Sequence, residues 1–303
     1  MPSEAVTPGN LPNLLVVGAM KSATTGLFDD LAEREEIFAP AVKEPAFLVR
    51  SAFSDAQIEQ NFAKLYEGAR TEQWRLDGST SYTMRPRLDG AAERARKLLG
   101  DDVRVIYMIR EPFGRILSHY RHSYRAGAVT APFPQALDQF PDLLAFSRYH
   151  YQIEPWLRHF GPERVFVTEF DHYTRHRAEQ LGLIEAFLGL PPRPADAPLE
   201  RVANRGSERL TVPHRMSGIL RSSLYKTFMR NIVPSTLRGR LRGAVARRLE
   251  DVPAAWTEAS FERAANELLP EMKAMVPICS VPPSDPETLW KVDELRKLHL
   301  APA

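Results

Sequence analysis

The sequence predicts an α/β fold in which a parallel sheet of about five strands is covered by helices on both faces. Three observations lead there. Short, almost continuous apolar runs recur along the first two thirds of the chain. Each is followed by a longer stretch of helical periodicity, the alternation that βαβ units produce. After about residue 195 this rhythm stops, and basic, helix-like sequence replaces it. A strand buried on both faces loses its polar positions, so an apolar run without alternation favours a parallel sheet with helices above and below.

The elements follow in order. "LLVVGA" (Leu14–Ala19) leads into "TTGLFDDLAE", and a short "EIFAP" (Glu36–Pro40) precedes "KEPAFL". "WRLDGSTSY" (Trp74–Tyr82) is followed by the helical "LDGAAERARKLLG". "VRVIYMIR" (Val103–Arg110) enters "EPFGRILSHYRHSYRAG", and "RVFVTEF" (Arg164–Phe170) enters "AEQLGLIEAFLGLPP". Residues 209–249 contain no acidic residue and ten Lys or Arg, and "FERAANELLPEMKAM" beyond them is a balanced helical stretch. The expected division is a single domain over 1–303, with an α/β core at about 13–195 and a helical, basic extension at about 196–303.

Composition narrows the function classes. Hydrophobic residues are 44% and charged residues 26% of the 303, enough for a sizeable core, and a formal net charge of +2 names no class of partner. Cys279 is the single cysteine, which excludes an internal disulfide and a cysteine-rich zinc site and fits a reducing compartment. No apolar run is long enough to span a bilayer, and "MPSEAVTPGNLPN" lacks the basic start and apolar centre of a signal peptide. A cytoplasmic protein is expected. Aromatic platforms and recognition-helix patterns are lacking, so no nucleic-acid partner is expected.

Two strand-to-helix turns carry chemistry. In "GAMKSATTGL" a strand ends at Gly18, and Lys21, Ser22, Ala23, Thr24, Thr25 and Gly26 lead into a helix. Helix N-termini expose unpaired N–H groups and partial positive charge, so an anion is favoured there. A Ser/Thr-capped helix with an exposed lysine would show the same letters. The order differs from the nucleotide-hydrolysing loop, whose lysine follows the second glycine. In "VRVIYMIREPFGRILSHY", Arg110 ends a strand, Pro112 stands where a helix tolerates proline, and Ser118 lies eight residues on. Two anion sites on two such turns imply a ligand with two separated phosphates.

With these residues in view, the chain resembles sulfotransferases that use 3′-phosphoadenosine 5′-phosphosulfate (PAPS), which implies a P-loop-like three-layer fold. Lys21-Ser22-Ala23-Thr24-Thr25 is similar to their 5′-phosphosulfate loop, commonly K-[ST]-G-T-T, with Ala23 in place of glycine. Such an alanine must take a negative φ or accept mild strain. Arg110 to Tyr120 resembles the 3′-phosphate motif R-[DN]-P-x-x-R-x-x-S-x-Y, with Glu111 in place of Asp or Asn. "KEPAFL" resembles a segment whose glutamate is the general base, which implies Glu44 in that role, with Lys43 beside it expected to contact the acceptor substrate. "LDGSTSYT" resembles a "GExSPSY" segment, implying acceptor contacts at Ser79, Ser81 and Tyr82, with Asp77 replacing Glu. "ANRGSERL" resembles a loop that closes over the nucleotide, implying Asn204, Arg205, Gly206 and Ser207.

The resemblance implies in-line sulfuryl transfer to an acceptor hydroxyl, with adenosine 3′,5′-bisphosphate as product and no metal. Glu44, partly buried, would take the hydroxyl proton, and Lys21 would steady the departing phosphate. The acceptor would be a carbohydrate, a glycolipid or a related small metabolite. Residues 209–249 would suit an anionic acceptor, a peripheral contact with a membrane surface, or a solvated helical face. Two other readings remain open: an ATP-dependent small-molecule kinase, and a non-catalytic nucleotide-binding interaction module. His172 and His176 are spaced like metal ligands but lack a third partner in sequence, and read as surface histidines. His119 and His122 read as anion contacts or packing.

Overall fold

The computed structural model describes residues 10–193, 254–280 and 290–300. Five strands, β1 (Leu14–Gly18), β2 (Ile37–Phe38), β3 (Trp74–Gly78), β4 (Arg104–Ile109) and β5 (Val165–Glu169), form one sheet in the order β2-β3-β1-β4-β5. All pairings are parallel. The helices are α1 (Thr24–Ala32), α2 (Asp55–Leu65), α3 (Ala91–Leu99), α4 (Pro112–Arg125), α5 (Phe133–Gln139), α6 (Asp142–Ala145), α7 (Tyr149–Phe160), α8 (Phe170–Arg175), α9 (Arg177–Phe187), α10 (Glu258–Met275) and α11 (Val292–Leu300).

Strand periodicity sorts the core into two layers. Leu15, Val17, Val105, Tyr107, Ile109, Val165 and Val167 face one side, against α2, α3 and α7. Leu14, Val16, Leu76, Ile106, Met108 and Phe166 face the other, against α1, α8 and α9. Alternate residues of β1 and β4 thus feed opposite layers, which is why neither strand has a polar position to spare.

Two features depart from the expected element plan. The third apolar run stops being strand at Gly78, and Thr80–Thr83 turn into a 3₁₀ helix. Glycine is needed there, because a Cβ at Gly78 would lie 2.6 Å from the Phe28 ring of α1. Helices α2 and α5 to α7 were not anticipated. The signal for α2 was present in "SDAQ", where Ser54 and Gln57 form a capping box. That for α7 lies in Tyr149, Ile153, Trp156 and Phe160, all buried at helical spacing.

The C-terminal helices continue the core. Trp256 precedes a capping box of Thr257 and Ser260 that starts α10. Phe261 stacks on Phe113 of α4 with ring centroids 4.2 Å apart, and Trp256 meets Phe113 edge-on at 5.3 Å. The loop at Asn204–Ser207 and the basic residues 209–249 lie outside the described residues. Behind α1, buried Asp30 accepts from Tyr173 and Arg177, so α8 and α9 fix the axis of the helix that follows β1.

Phe261→Ala should cost about 3–5 kcal/mol in urea unfolding, and Phe261→Leu less, because alanine leaves the larger cavity against Phe113.

Candidate active site

At the end of β1 the backbone is tightly constrained. A Cβ at Gly18 would fall 2.0 Å from Thr83 Oγ1, which donates to Val17 O at 2.8 Å. The chain then crosses toward β4, where Ala19 N donates to Met108 O at 2.7 Å. Lys21 and Ala23 have φ of 73° and 60°, in the left-handed region. Ala23 therefore takes the strained alternative, at about 1–2 kcal/mol. It is also the N-cap of α1 and has no side chain able to cap. The Ser22 hydroxyl is fully buried and, among the described residues, without a hydrogen-bond partner. Uncapped first-turn N–H groups, a buried unpartnered hydroxyl and the half-buried Lys21 make a donor set suited to a phosphate.

The second motif meets the first. Ile109 pairs with Glu169, which puts the next residues, Arg110 and Phe170, side by side. The Arg110 guanidinium sits 4.5 Å from the Phe170 ring centroid, and its Nη1 donates to Lys21 O at 3.5 Å. Tyr149 holds the Arg110 backbone by donating to its carbonyl at 2.7 Å. Glu111 caps α4, accepting from Gly114 N at 2.6 Å, and lies 3.2 Å from His299 Nε2. A Cβ at Gly114 would lie 1.9 Å from that Glu111 oxygen, so the longer acid and the glycine fit as a pair. Ser118, half-buried, is four residues beyond Gly114 and on the same face of α4.

Arg115 is fully buried and donates to Ser147 Oγ and Leu143 O, each at 2.5 Å, tying α4 to α6 and to the turn before α7. His119 stacks on Phe146, with centroids 5.5 Å apart. Burial, and then the Arg115 charge, lower its pKa to about 2. Its stacking and burial fit the packing alternative. His172 and His176 have ring centroids 4.9 Å apart, and among the described residues no three His, Cys, Asp or Glu side chains form a metal-sized group.

Glu44 stands on the other side of the α1 N-terminus. Its carboxylate accepts from Thr80 Oγ1 at 3.2 Å and lies 3.8 Å from Lys43 Nζ. Lys43 Nζ in turn donates to Thr25 Oγ1 at 2.6 Å, linking Glu44 to the first turn of α1. Burial lowers the Lys43 pKa, against the opposing pull of Glu44 and Asp29. The Glu44 side chain is 45% exposed, so one part of it is open to solvent and the rest is covered. Its exposure follows from its place on a loop outside the end of β3.

Ser79 and Tyr82, expected to contact an acceptor, are turned inward instead. Both are buried, and their hydroxyls donate to Asp77 at 2.7 and 2.6 Å. The bend at Gly78 directs them under the loop, where Asp77 needs donors. The Ser81 hydroxyl is buried and, among the described residues, without a partner. Burial raises the Asp77 pKa to about 6, the two hydroxyl donors oppose this, and Glu44 adds to it. Thr80, Phe170 and Tyr149 complete the site and were missed in the sequence. Of these, Phe170 was readable from the aligned ends of the last two strands.

A family model described as a sulfotransferase domain matches residues 90–229, which contain the Arg110–Ser118 motif. Mouse (Mus musculus) heparan sulfate glucosamine 3-O-sulfotransferase 5 is 25% identical to this chain over 215 residues, covering 65% of the chain and 58% of the relative. Mouse heparan sulfate glucosamine 3-O-sulfotransferase 3A1 is 23% identical over 190 residues, covering 59% and 46%. The chain thus spans about half the length of these relatives. The solved sulfotransferase of Alicyclobacillus acidocaldarius superposes with a TM-score of 0.55 at 24% identity, covering 64% of this chain and 87% of that one, which shows the same P-loop-like fold. Among the described residues no helix is long and apolar enough to cross a membrane.

Ala23→Gly should hold or raise the thermal midpoint, since relief of about 1–2 kcal/mol of strain outweighs or matches the entropy cost of glycine. Ala23→Val should lower it. Asp77 gives a pH test. Its folded pKa of about 6 lies above the unfolded 3.8, so stability falls as pH rises between them and stays low above. Urea unfolding at about pH 4 and about pH 7 should show the wild type losing about 2–3 kcal/mol relative to Asp77→Asn, which has no proton to release.

Proposed function

We propose that this chain transfers the sulfuryl group of PAPS to a hydroxyl of a carbohydrate acceptor. The reading is carried by the meeting of Arg110 Nη1 with Lys21 O at 3.5 Å, which joins two anion-binding turns into one site. A donor with phosphates at two ends of an adenosine fits such a pair. Residues Lys21 to Gly26 would hold the 5′ end through backbone N–H groups, hydroxyls and the lysine charge. Arg110 and Ser118 would hold the 3′-phosphate, with the Phe170 ring beneath the guanidinium. The sequence resemblance adds Asn204, Arg205, Gly206 and Ser207 to this set, outside the described residues. When bound, the donor supplies a sulfuryl group already activated by its phosphate leaving group.

This chain's residues then have separate tasks. Glu44 takes the proton of the attacking hydroxyl; its exposed carboxylate is open to an incoming acceptor, and Thr80 fixes one of its oxygens. Lys43 bridges Glu44 and Thr25 and keeps the carboxylate beside the α1 N-terminus. Lys21 places positive charge where negative charge grows on the 5′-phosphate. The names of the heparan sulfate relatives support a sugar hydroxyl as acceptor.

Transfer of label from radiolabelled PAPS to a panel of glucosamine-containing oligosaccharides, phenols and lipid alcohols tests this. Oligosaccharides should be labelled, and Lys21→Ala and Glu44→Gln should each lower kcat by about 10²–10³. Labelling of phenols or lipid alcohols alone would overturn the carbohydrate assignment, and absence of label on every acceptor would overturn the activity.

A further inference from the structure

We propose that Asp77 is the positioning residue for Glu44 and acts through the hydroxyl of Ser79. The proposal rests on Glu44 being the base. The segment that carries Glu44 is strained on both sides of Pro45, with Glu44 at φ 59° and Ala46 at φ 56°. Such a turn persists only if its surroundings over-determine it. Two backbone restraints do so: Glu44 N donates to Gly78 O at 3.2 Å, and Ala46 N donates to Ser79 Oγ at 3.1 Å.

The second restraint depends on where one proton points. Ser79 has a single hydroxyl proton, and it is donated to Asp77 Oδ1 at 2.7 Å. That leaves a lone pair facing the Ala46 N–H. Without an acceptor at Asp77 the proton is free to turn toward Ala46, and the restraint becomes a repulsion. The other carboxylate oxygen accepts from Tyr82 OH at 2.6 Å, so both oxygens of Asp77 are held. Among the described residues no ion pair joins Asp77 to a base, and the side chain is fully buried. A carboxyl in such surroundings is an expensive group to keep, and orienting Ser79 gives it a task.

Amide hydrogen exchange, read together with turnover on PAPS, tests the proposal. In Asp77→Leu, which removes the acceptor, and in Ser79→Ala, exchange at Glu44 and Ala46 should accelerate about tenfold or more, while amides of α1 stay as in the wild type. The double variant should be no faster than the faster single one, because both changes break the same link. Tyr82→Phe, which leaves the Ser79 link in place, should leave Glu44 and Ala46 unchanged. Turnover in Asp77→Leu should show a lowered kcat at an unchanged KM for PAPS. Unaltered exchange at Glu44 and Ala46, additive effects in the double variant, or acceleration spread through α1 and the sheet would each overturn the positioning role. Full turnover in Glu44→Gln would overturn the base reading alone, and the exchange pattern distinguishes that failure from the first.

Discussion

The site depends on β1 lying between β3 and β4. The chain leaves β1 toward β3 and β2 on one side and later returns to β4 on the other. In such a sheet the strand order reverses beside β1, and the crevice outside the carboxyl ends of the strands is where α/β folds bind ligands. The Lys21 turn follows β1, Arg110 follows β4, and the Asp77–Thr80 bend closes β3. Sequence positions far apart thereby share one edge. The sheet is held by its apolar alternation, and the site by three strand ends emerging together.

That edge also concentrates backbone strain. Among the described residues the non-glycine positions with positive φ are Lys21, Ala23, Glu44 and Ala46. All belong to the two segments that meet at the α1 N-terminus through Lys43 and Thr25. Strain of this kind persists where surrounding packing fixes the geometry. Here the packing is supplied by Phe28 against Gly78, by Thr83 against Gly18, and by the Asp30 cluster at the far end of α1.

Much of this was legible in the sequence because the signals are physical. Apolar runs marked all five strands, and glycine, lysine and hydroxyl residues at one strand end marked the phosphate turn. The pairing of Glu111 with Gly114 also has a local basis, since capping by a longer side chain needs room. Side-chain facing was harder. β3 is buried on both faces, so alternation does not say which way Ser79 and Tyr82 turn after Gly78. Their inward hydroxyls follow from a 3₁₀ turn and a buried carboxyl, neither of which a run of Ser, Thr and Tyr specifies. Thr80, between them, reaches Glu44 for the same reason.

The central claim is that the β1 and β4 turns form one nucleotide site. Calorimetric titration with adenosine 3′,5′-bisphosphate in the absence of magnesium tests it most directly. The account predicts micromolar or tighter binding, weakened about tenfold or more by Arg110→Ala, which removes a charged hydrogen-bonding group. Tight binding of magnesium–ATP with no response to the bisphosphate would contradict it.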